Sequence, residues 1–189
     1  MGFLDVFRKD EVVGAKVLVC ALGAKFDDLL KGDLRVYKRF YLYMTATAVS
    51  SLAELREALG QRYDIVHLFC DVDAQGVIAD SAGGRMKGTE LMQASVAAGV
   101  KLLWIASDNL PEAYAAGFKT KAIKMNVVLT LRRLGPNFSL FMDNLLSKLS
   151  AGEPFAKAWN VAANPEGKSV QPDVPHTIVS AGRGAVILR

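Results

Sequence analysis

Short, uninterrupted apolar runs that recur along the chain constrain its fold more than any other feature. Four of them span residues 16–22, 64–69, 101–106 and 126–131. Each is apolar along nearly its whole length, which is typical of a parallel strand that is buried on both faces. Segments with helical spacing separate the later runs, and strands that alternate with helices favour an α/β fold. We therefore predict a mostly parallel sheet with helices on both of its faces.

Further segments complete the predicted sheet of about six strands. Residues 39–47 alternate aromatic, aliphatic and small side chains and indicate a second strand, and residues 176–180 and 184–188 indicate one last strand or a pair. Ser51 and Glu54 form a capping box that predicts a helix ending near Gly60. Residues 76–84 favour a turn or a short hairpin before a helix at 89–99. The break at residues 152–154 divides residues 136–163 into two helices.

Length and composition predict one globular domain over residues 1–189, with residues 1–14 as an N-terminal extension or a short helix. The chain has 189 residues, of which 51% are hydrophobic and 22% are charged. Its longest apolar run, residues 17–22, is far shorter than the roughly 18 residues that a membrane-spanning helix needs. Charged residues interrupt the N-terminus where a secretory signal would be apolar. We therefore expect a cytoplasmic protein without a membrane span.

Neither the charged residues nor the cysteines indicate that the chain binds a nucleic acid, a metal or a cofactor. The net charge of +4 is spread along the chain, without the aromatic platforms or the reading helix of a nucleic-acid-binding protein. Cys20 and Cys70 lie inside apolar runs, and the chain has only two histidines. A disulfide framework and a zinc site are therefore not expected, and no fingerprint of a nucleotide cofactor is present.

Polar residues follow two of the predicted strands. Cys70, Asp71 and Asp73 come at or after the end of the run at 64–69. Ser107, Asp108 and Asn109 come directly after the run at 101–106. Functional residues of parallel sheets gather at the carboxyl ends of the strands. These six residues are therefore the candidates for a site.

Three segments resemble the CHAT domains, which are caspase-like cysteine peptidases. These segments are SLAELREALGQRYDIVHLFCD, GRMKGTELMQASVAAGVKLLWIAS and SAGEPFAKAWNVAAN, within about residues 50–165. The resemblance rests on the order and spacing of a His-bearing strand, a Gly turn with a short helix, a further strand and an Ala-rich helix. It implies a caspase-like fold and a histidine–cysteine pair in which the imidazole takes the thiol proton.

Both catalytic positions of that family are substituted in this sequence. The resemblance places the family's first strand histidine at His67, its catalytic histidine at Asp71 and its nucleophile at Ser107. A carboxylate with the ordinary pKa of about 4 is too weak a base to activate a serine hydroxyl. Cys70 is one place out of register, and neighbouring strand residues point to opposite faces. The sequence therefore favours a catalytically inactive, pseudo-peptidase module.

Such a module would act by binding a protein or peptide partner. Peptidases of this fold hold their substrate in an extended form beside the sheet. An inactive relative is expected to keep this place for an extended peptide. The expected groove comprises five residues near the strand ends: His67, Cys70, Asp73, Asp108 and Asn109. The resemblance also implies pairing through a sheet edge, so residues 176–188 offer a surface for a homodimer. For His67 itself, a hydrogen-bonded place in the core is favoured over a role as a ligand, because it is a lone histidine within an apolar run.

A second interpretation is a magnesium-dependent phosphatase. The segment DVDAQG at residues 71–76 resembles the first motif of the haloacid-dehalogenase-like phosphatases, and WIASDN is similar to their second motif. Asp71 would attack phosphorus and Asp73 would shuttle a proton. In that family, however, the first motif lies at the start of the domain. Here about 60 residues, which include two predicted strands, precede it. The acidic pair that completes the metal site is also missing.

Overall fold

The structure is a computed structural model, which describes residues 15–40, 44–106, 126–130, 137–163 and 176–180. It has an α/β fold, as predicted. The strands are β1 (Ala15–Ala21), β2 (Met44–Val49), β3 (Ile65–Phe69), β4 (Val77–Ala79), β5 (Arg85–Lys87), β6 (Leu102–Ala106), β7 (Asn126–Thr130) and β8 (His176–Ser180). The helices are α1 (Asp27–Arg39), α2 (Leu52–Leu59), α3 (Gly88–Ala97), α4 (Asn137–Ser150) and α5 (Phe155–Ala163), and a 3-10 turn (Ala24–Phe26) precedes α1.

The main sheet places β3 and β6 at its centre. The hydrogen-bonded order of the strands is β2-β1-β3-β6-β7-β8. Strands β2, β1, β3 and β6 run parallel to one another, β7 continues in the same direction, and β8 pairs antiparallel with β7. The carboxyl ends of the parallel strands therefore share one edge of the sheet. The hairpin β4–β5 forms a separate two-stranded sheet between β3 and α3.

Helices cover both faces of the sheet, as the apolar runs predict. Side chains alternate along each strand, so a strand buried on both faces contributes to two cores. On one face, Val19, Phe69 and Trp104 pack with residues of α1, α4 and α5. On the other face, Leu18 and Leu68 pack with residues of α2 and α3. The sheet is therefore a middle layer between two layers of helices.

The predicted strand at residues 39–47 is wrong at its beginning. Helix α1 continues to Arg39, and β2 begins only at Met44. The aromatic residues around position 40 suggested a strand, but Phe40 closes the last turn of α1 with a hydrogen bond from its N–H to the Tyr37 carbonyl, at 2.9 Å. The bounds of helix α1 were not predicted, although the acidic pair Asp27 and Asp28 after β1 is typical of the start of a helix.

Several other predictions are confirmed. Ser51 caps α2, since its Oγ accepts a hydrogen bond from the Glu54 N–H at 3.2 Å. The Glu54 carboxylate accepts from the Ser50 N–H at 2.7 Å, one residue earlier than a standard capping box requires. The region after residue 76 forms a hairpin followed by α3, and α4 and α5 separate at residues 151–154. The predicted strand at 184–188 and the segment 1–14 lie outside the described residues.

Within the described part of the chain, no helix is both long and apolar enough to cross a membrane.

Candidate functional site

The carboxyl ends of β3 and β6 lie side by side. Phe69 pairs with Ala106 in the parallel register, and the Cys70 N–H donates to the Ala106 carbonyl at 3.3 Å. Asp71 is the second residue after Phe69, and Ser107 is the next residue in the sequence after Ala106. Ser107, Asp108 and Asn109 themselves lie outside the described residues. The structure therefore brings together the two strands that lead to the candidate site, and it describes one side of that site.

Asp71 is exposed at this edge and forms an ion pair with Lys25, which lies just after β1 in the sequence. The Lys25 Nζ lies 2.5 Å from the Asp71 Oδ2, and the two side chains are 60% and 53% exposed. Lys25 belongs to the 3-10 turn after β1, and its ammonium group also lies 4.9 Å from the centre of the Phe26 ring. Phe26 in turn stacks on Phe69, the last residue of β3. The turn after β1 is thereby anchored to the end of β3.

His67 lies in the core rather than at the surface. Its side chain is 0% exposed, and its Nδ1 lies 3.2 Å from the Tyr37 hydroxyl. Its Nε2 lies 3.6 Å from the Asp33 Oδ2, and its ring stacks on Trp104 with the ring centres 4.7 Å apart. Asp33 and Tyr37 both come from α1 and are also buried. The favoured interpretation of His67, a hydrogen-bonded core histidine, agrees with the structure.

Cys70 is likewise inaccessible. It is 0% exposed and packs on the face of the sheet that α2 and α3 cover, together with Cys20. Burial raises the pKa of the Cys70 thiol well above its usual value, and burial also raises the pKa of Cys20. Neither thiol therefore forms the thiolate that nucleophilic attack requires. The expectation that His67 and Cys70 line a surface groove is corrected, because a ligand cannot reach either side chain.

Asp73 organises the turn that follows β3. Its Oδ1 accepts hydrogen bonds from the Gln75 and Val77 N–H groups, each at 2.9 Å. Its Oδ2 lies 3.3 Å from the Arg85 Nη2 across the hairpin. Both oxygens are therefore occupied within the turn. Asp73 is partly exposed beside the site, but its carboxylate acts there as a structural acceptor.

A second aspartate, which the sequence analysis did not single out, holds the hairpin to α2. The Asp80 Oδ1 accepts from the Ala82 and Gly84 N–H groups at 3.0 and 2.7 Å. Its Oδ2 accepts from the Leu52 N–H at the start of α2, at 2.8 Å. The bond from Leu52 is the largest cause that lowers the pKa of Asp80 below its usual value. A Cβ atom at Gly84 would lie 2.6 Å from the Asp80 Oδ2, so a side chain there would push the carboxylate away from these bonds.

The described residues also form a groove of about 510 Å³ at the opposite edge of the sheet. It is lined by Lys16, Arg62, Tyr63, Asp64, Ala97, Ala98 and Gly99. Asp64 is already engaged there, since its Oδ2 accepts from the Lys16 N–H at 3.0 Å and its Oδ1 pairs with Lys101 at 2.7 Å. The groove therefore lies at the amino ends of the strands, away from Asp71.

Among the described residues, no group of three or more histidine, cysteine, aspartate or glutamate side chains is placed to hold a metal ion.

The sequence pointed to site residues such as Asp71, but it did not identify the residues that contact them. Lys25 gives no signal in the sequence that would connect it with Asp71, since the two lie 46 positions apart. Asp33 and Tyr37 were missed together with the bounds of α1. Their spacing of four residues would have placed them on one face of a helix if those bounds had been predicted.

No family model matches the chain, and a search of curated proteins finds no match. Function is therefore inferred from the residues and their geometry alone.

Proposed function

We propose that the chain is a catalytically inactive, CHAT-like module with a caspase-like fold that acts by binding a protein or peptide. The observation that supports this most is the adjacency of β3 and β6, with Phe69 opposite Ala106. The CHAT resemblance places a histidine and a nucleophile just beyond the ends of two strands. A working pair requires those strands to be neighbours, and here they are neighbours in a register that suits the positions of Asp71 and Ser107.

The contacts of Asp71 support the absence of peptidase activity. A general base must be able to take a proton from the nucleophile. The Asp71 carboxylate instead forms an ion pair with Lys25. The two cysteines offer no substitute, because both are buried with raised thiol pKa values. In this proposal, the fold that would position a catalytic pair carries side chains that are unsuited to the reaction.

Binding would use the surface that remains at this edge. Asp71 and Lys25 are both more than half exposed, and Arg85 is 66% exposed beside Asp73. Asp108 and Asn109 follow β6 in the sequence and belong to the same proposed groove. A homodimer through residues 176–188 is part of the same proposal. Among the described strands, β8 is the last in the sheet and pairs only with β7.

A panel of fluorogenic peptides tests the inactive assignment. We expect no turnover by the purified chain above that of a Ser107→Ala variant. Turnover by the wild-type chain that disappears in Ser107→Ala would show a working nucleophile and refute the assignment. An Asp71→Asn variant tests the other position of the proposed pair, because it removes the charge there while it keeps the size of the side chain.

The phosphatase alternative is less well supported. Its proton shuttle would be Asp73, yet both Asp73 oxygens are occupied by the turn and by Arg85. Its nucleophile would be Asp71, which is paired with Lys25. Magnesium-dependent hydrolysis of p-nitrophenyl phosphate that is abolished by Asp71→Asn would establish this alternative in place of the binding module.

A further inference from the structure

The groove at the amino ends of the strands combines three segments of the chain. Residues 62–64 follow α2 and residues 97–99 end α3, and both segments line the groove. Lys16, at the beginning of β1, is exposed and shares a face of the sheet with Leu18, which packs with residues of α2 and α3. The volume of about 510 Å³ falls within the range of about 300–1,000 Å³ that is usual for small-molecule sites. The groove is therefore large enough for a small organic ligand.

Lys16 and Arg62 give this groove two positive charges that no described carboxylate neutralises. The lining also contains Asp64, but its Oδ2 accepts from the Lys16 N–H and its Oδ1 pairs with the Lys101 ammonium. The Lys16 ammonium and the Arg62 guanidinium are exposed, and neither forms an ion pair with a carboxylate of the described residues. Glu57, in the last turn of α2, is thus not paired with either cation. The positive charge of the groove remains available to a ligand.

The helix ends beside the groove present few open carbonyl groups that would oppose an anion. At the end of α2, the Ala58 carbonyl accepts from the Gln61 N–H at 2.9 Å. At the end of α3, the Ser95 carbonyl accepts from the Val100 N–H at 2.9 Å. These bonds satisfy carbonyl groups that carry the negative end of each helix dipole. The two cations therefore dominate the charge of the groove.

Arg62 has a backbone conformation that favours glycine. Its φ is +58°, and no other non-glycine residue in the described part of the chain has a positive φ. It lies three residues after Leu59, the last residue of α2, where glycine would adopt the same conformation without a steric cost. Backbone strain of this kind is concentrated at functional sites. The conformation therefore points to a role for the guanidinium group that a glycine could not supply.

We propose that this groove binds a small molecule through a phosphate monoester group. A guanidinium group donates two parallel hydrogen bonds to phosphate oxygens, and a lysine ammonium group adds a point charge. A phosphate monoester carries about 1.5–2 negative charges at pH 7, which matches the two unpaired cations better than the single charge of a carboxylate does. The rest of the ligand would lie against Ala97 and Ala98, whose small side chains line the groove.

This site is separate from the carboxyl edge of the sheet that carries Asp71. The groove lies at the amino ends of the strands, and none of its lining residues belongs to the proposed vestigial pair. The proposal therefore stands whether or not residues 71 and 107 face each other, and different variants test the two claims.

The test follows the amide NMR signals of isotope-labelled protein during titration with phenyl phosphate. Benzoate and benzamide are the matched probes, since they carry one charge and no charge on the same ring. We expect phenyl phosphate to shift the signals of residues 62–64 and 97–99 saturably, benzoate to bind more weakly and benzamide not to bind. Absence of saturable shifts at these residues would overturn the proposal. Benzoate that binds as tightly as phenyl phosphate would overturn the assignment to a phosphate group.

Arg62→Gly separates binding from stability. It should weaken the binding of phenyl phosphate about tenfold, as expected for the loss of charge-assisted hydrogen bonds. It should not lower the midpoint of urea unfolding, because glycine relieves the backbone strain. Arg35→Gln is the control with the same change in net charge, since it removes an exposed cation of α1, on the other face of the sheet. This control should bind phenyl phosphate as the wild type does.

Lys16→Gln is a second variant that keeps the test decisive if Arg62→Gly does not fold. It changes an exposed side chain and keeps the backbone N–H that donates to Asp64. It should weaken the binding of phenyl phosphate several-fold. Unchanged affinity in folded Arg62→Gly or in Lys16→Gln would overturn the proposal. An equal loss of affinity in Arg35→Gln would also overturn it, because the binding would then depend only on the overall charge.

Discussion

The Asp33 Oδ2 lies 3.6 Å from the His67 Nε2, and both side chains are fully buried between α1 and the sheet. The Tyr37 hydroxyl lies on the other side of the same imidazole, 3.2 Å from Nδ1. Buried polar groups are costly unless they are bonded to one another. The network therefore fixes the position of α1 on β3, and with it the turn that carries Lys25 to the edge of the sheet.

Tyr37→Phe should destabilise the protein. The substitution removes the hydroxyl beside His67 but keeps the aromatic packing, and the loss of a buried hydrogen-bond partner costs about 1–3 kcal/mol. The measurement is the free energy of unfolding in urea. Lys38→Ala, at the exposed neighbouring position, is the control and should change that free energy by less than about 0.5 kcal/mol. A Tyr37→Phe variant as stable as this control would mean that the network does not fix α1.

Asp80→Ala should loosen both the hairpin and the start of α2. The carboxylate accepts from Ala82, Gly84 and Leu52, and the loss of a helix-capping group alone costs about 1 kcal/mol. Urea unfolding at neutral pH measures the effect. Asp80→Glu is the control for charge, since it keeps the carboxylate but not its position. Equal stability of wild type and Asp80→Ala would show that these bonds contribute nothing net.

The contribution of Asp80 to the stability of the fold should decrease as the pH falls. Its pKa is lowered in the folded protein from the usual value of 3.8, chiefly by the Leu52 N–H. The stabilisation is therefore complete above the unfolded pKa and is lost as the pH falls through the folded pKa. The difference in unfolding free energy between wild type and Asp80→Asn should shrink below about pH 4. A difference that grows on acidification would contradict this assignment.

Both cysteines should be unreactive in the folded protein. Cys20 and Cys70 are 0% exposed, and burial raises the pKa of each thiol. Ellman's reagent should therefore detect neither thiol in native buffer and both of them in guanidinium chloride. Rapid reaction of one thiol in the folded protein would show that α2 and α3 do not cover this face of the sheet as tightly as the structure indicates.

The sequence predicted those elements whose pattern is local. The strands at β1, β3 and β6 were recognisable because each is buried on both faces and reads as a continuous apolar run. The cap at Ser51 was recognisable because its partner lies three residues away. The bounds of helix α1 were not predicted, since its buried face includes Asp33, whose partner lies on another element.

The candidate site was predictable only in part for the same reason. The position of Asp71 at a strand end follows from the pattern of β3, but its contact with Lys25 depends on how the turn after β1 folds back. Similarly, His67 and Cys70 are only three residues apart, and their burial on opposite faces of the sheet depends on both helix layers. Contacts between distant segments decide which of these polar residues a partner can reach.

The most direct test of the central claim places a histidine at position 71 and a cysteine at position 107. The variant combines Asp71→His and Ser107→Cys with Lys25→Met, since the Lys25 ammonium beside position 71 would oppose a charged imidazole. Its control carries Ser107→Cys and Lys25→Met alone. The measurement is the rate of alkylation by iodoacetamide at pH 6, where the buried Cys20 and Cys70 add little background.

A histidine within reach of the new thiol would stabilise its thiolate. We therefore predict alkylation about tenfold faster than in the control, after allowing for the lower nucleophilicity of a thiolate with a lowered pKa. Equal rates in the two variants, with both folded, would show that positions 71 and 107 do not face each other. That result would contradict the account of this chain as a peptidase-like module that has lost its catalytic pair.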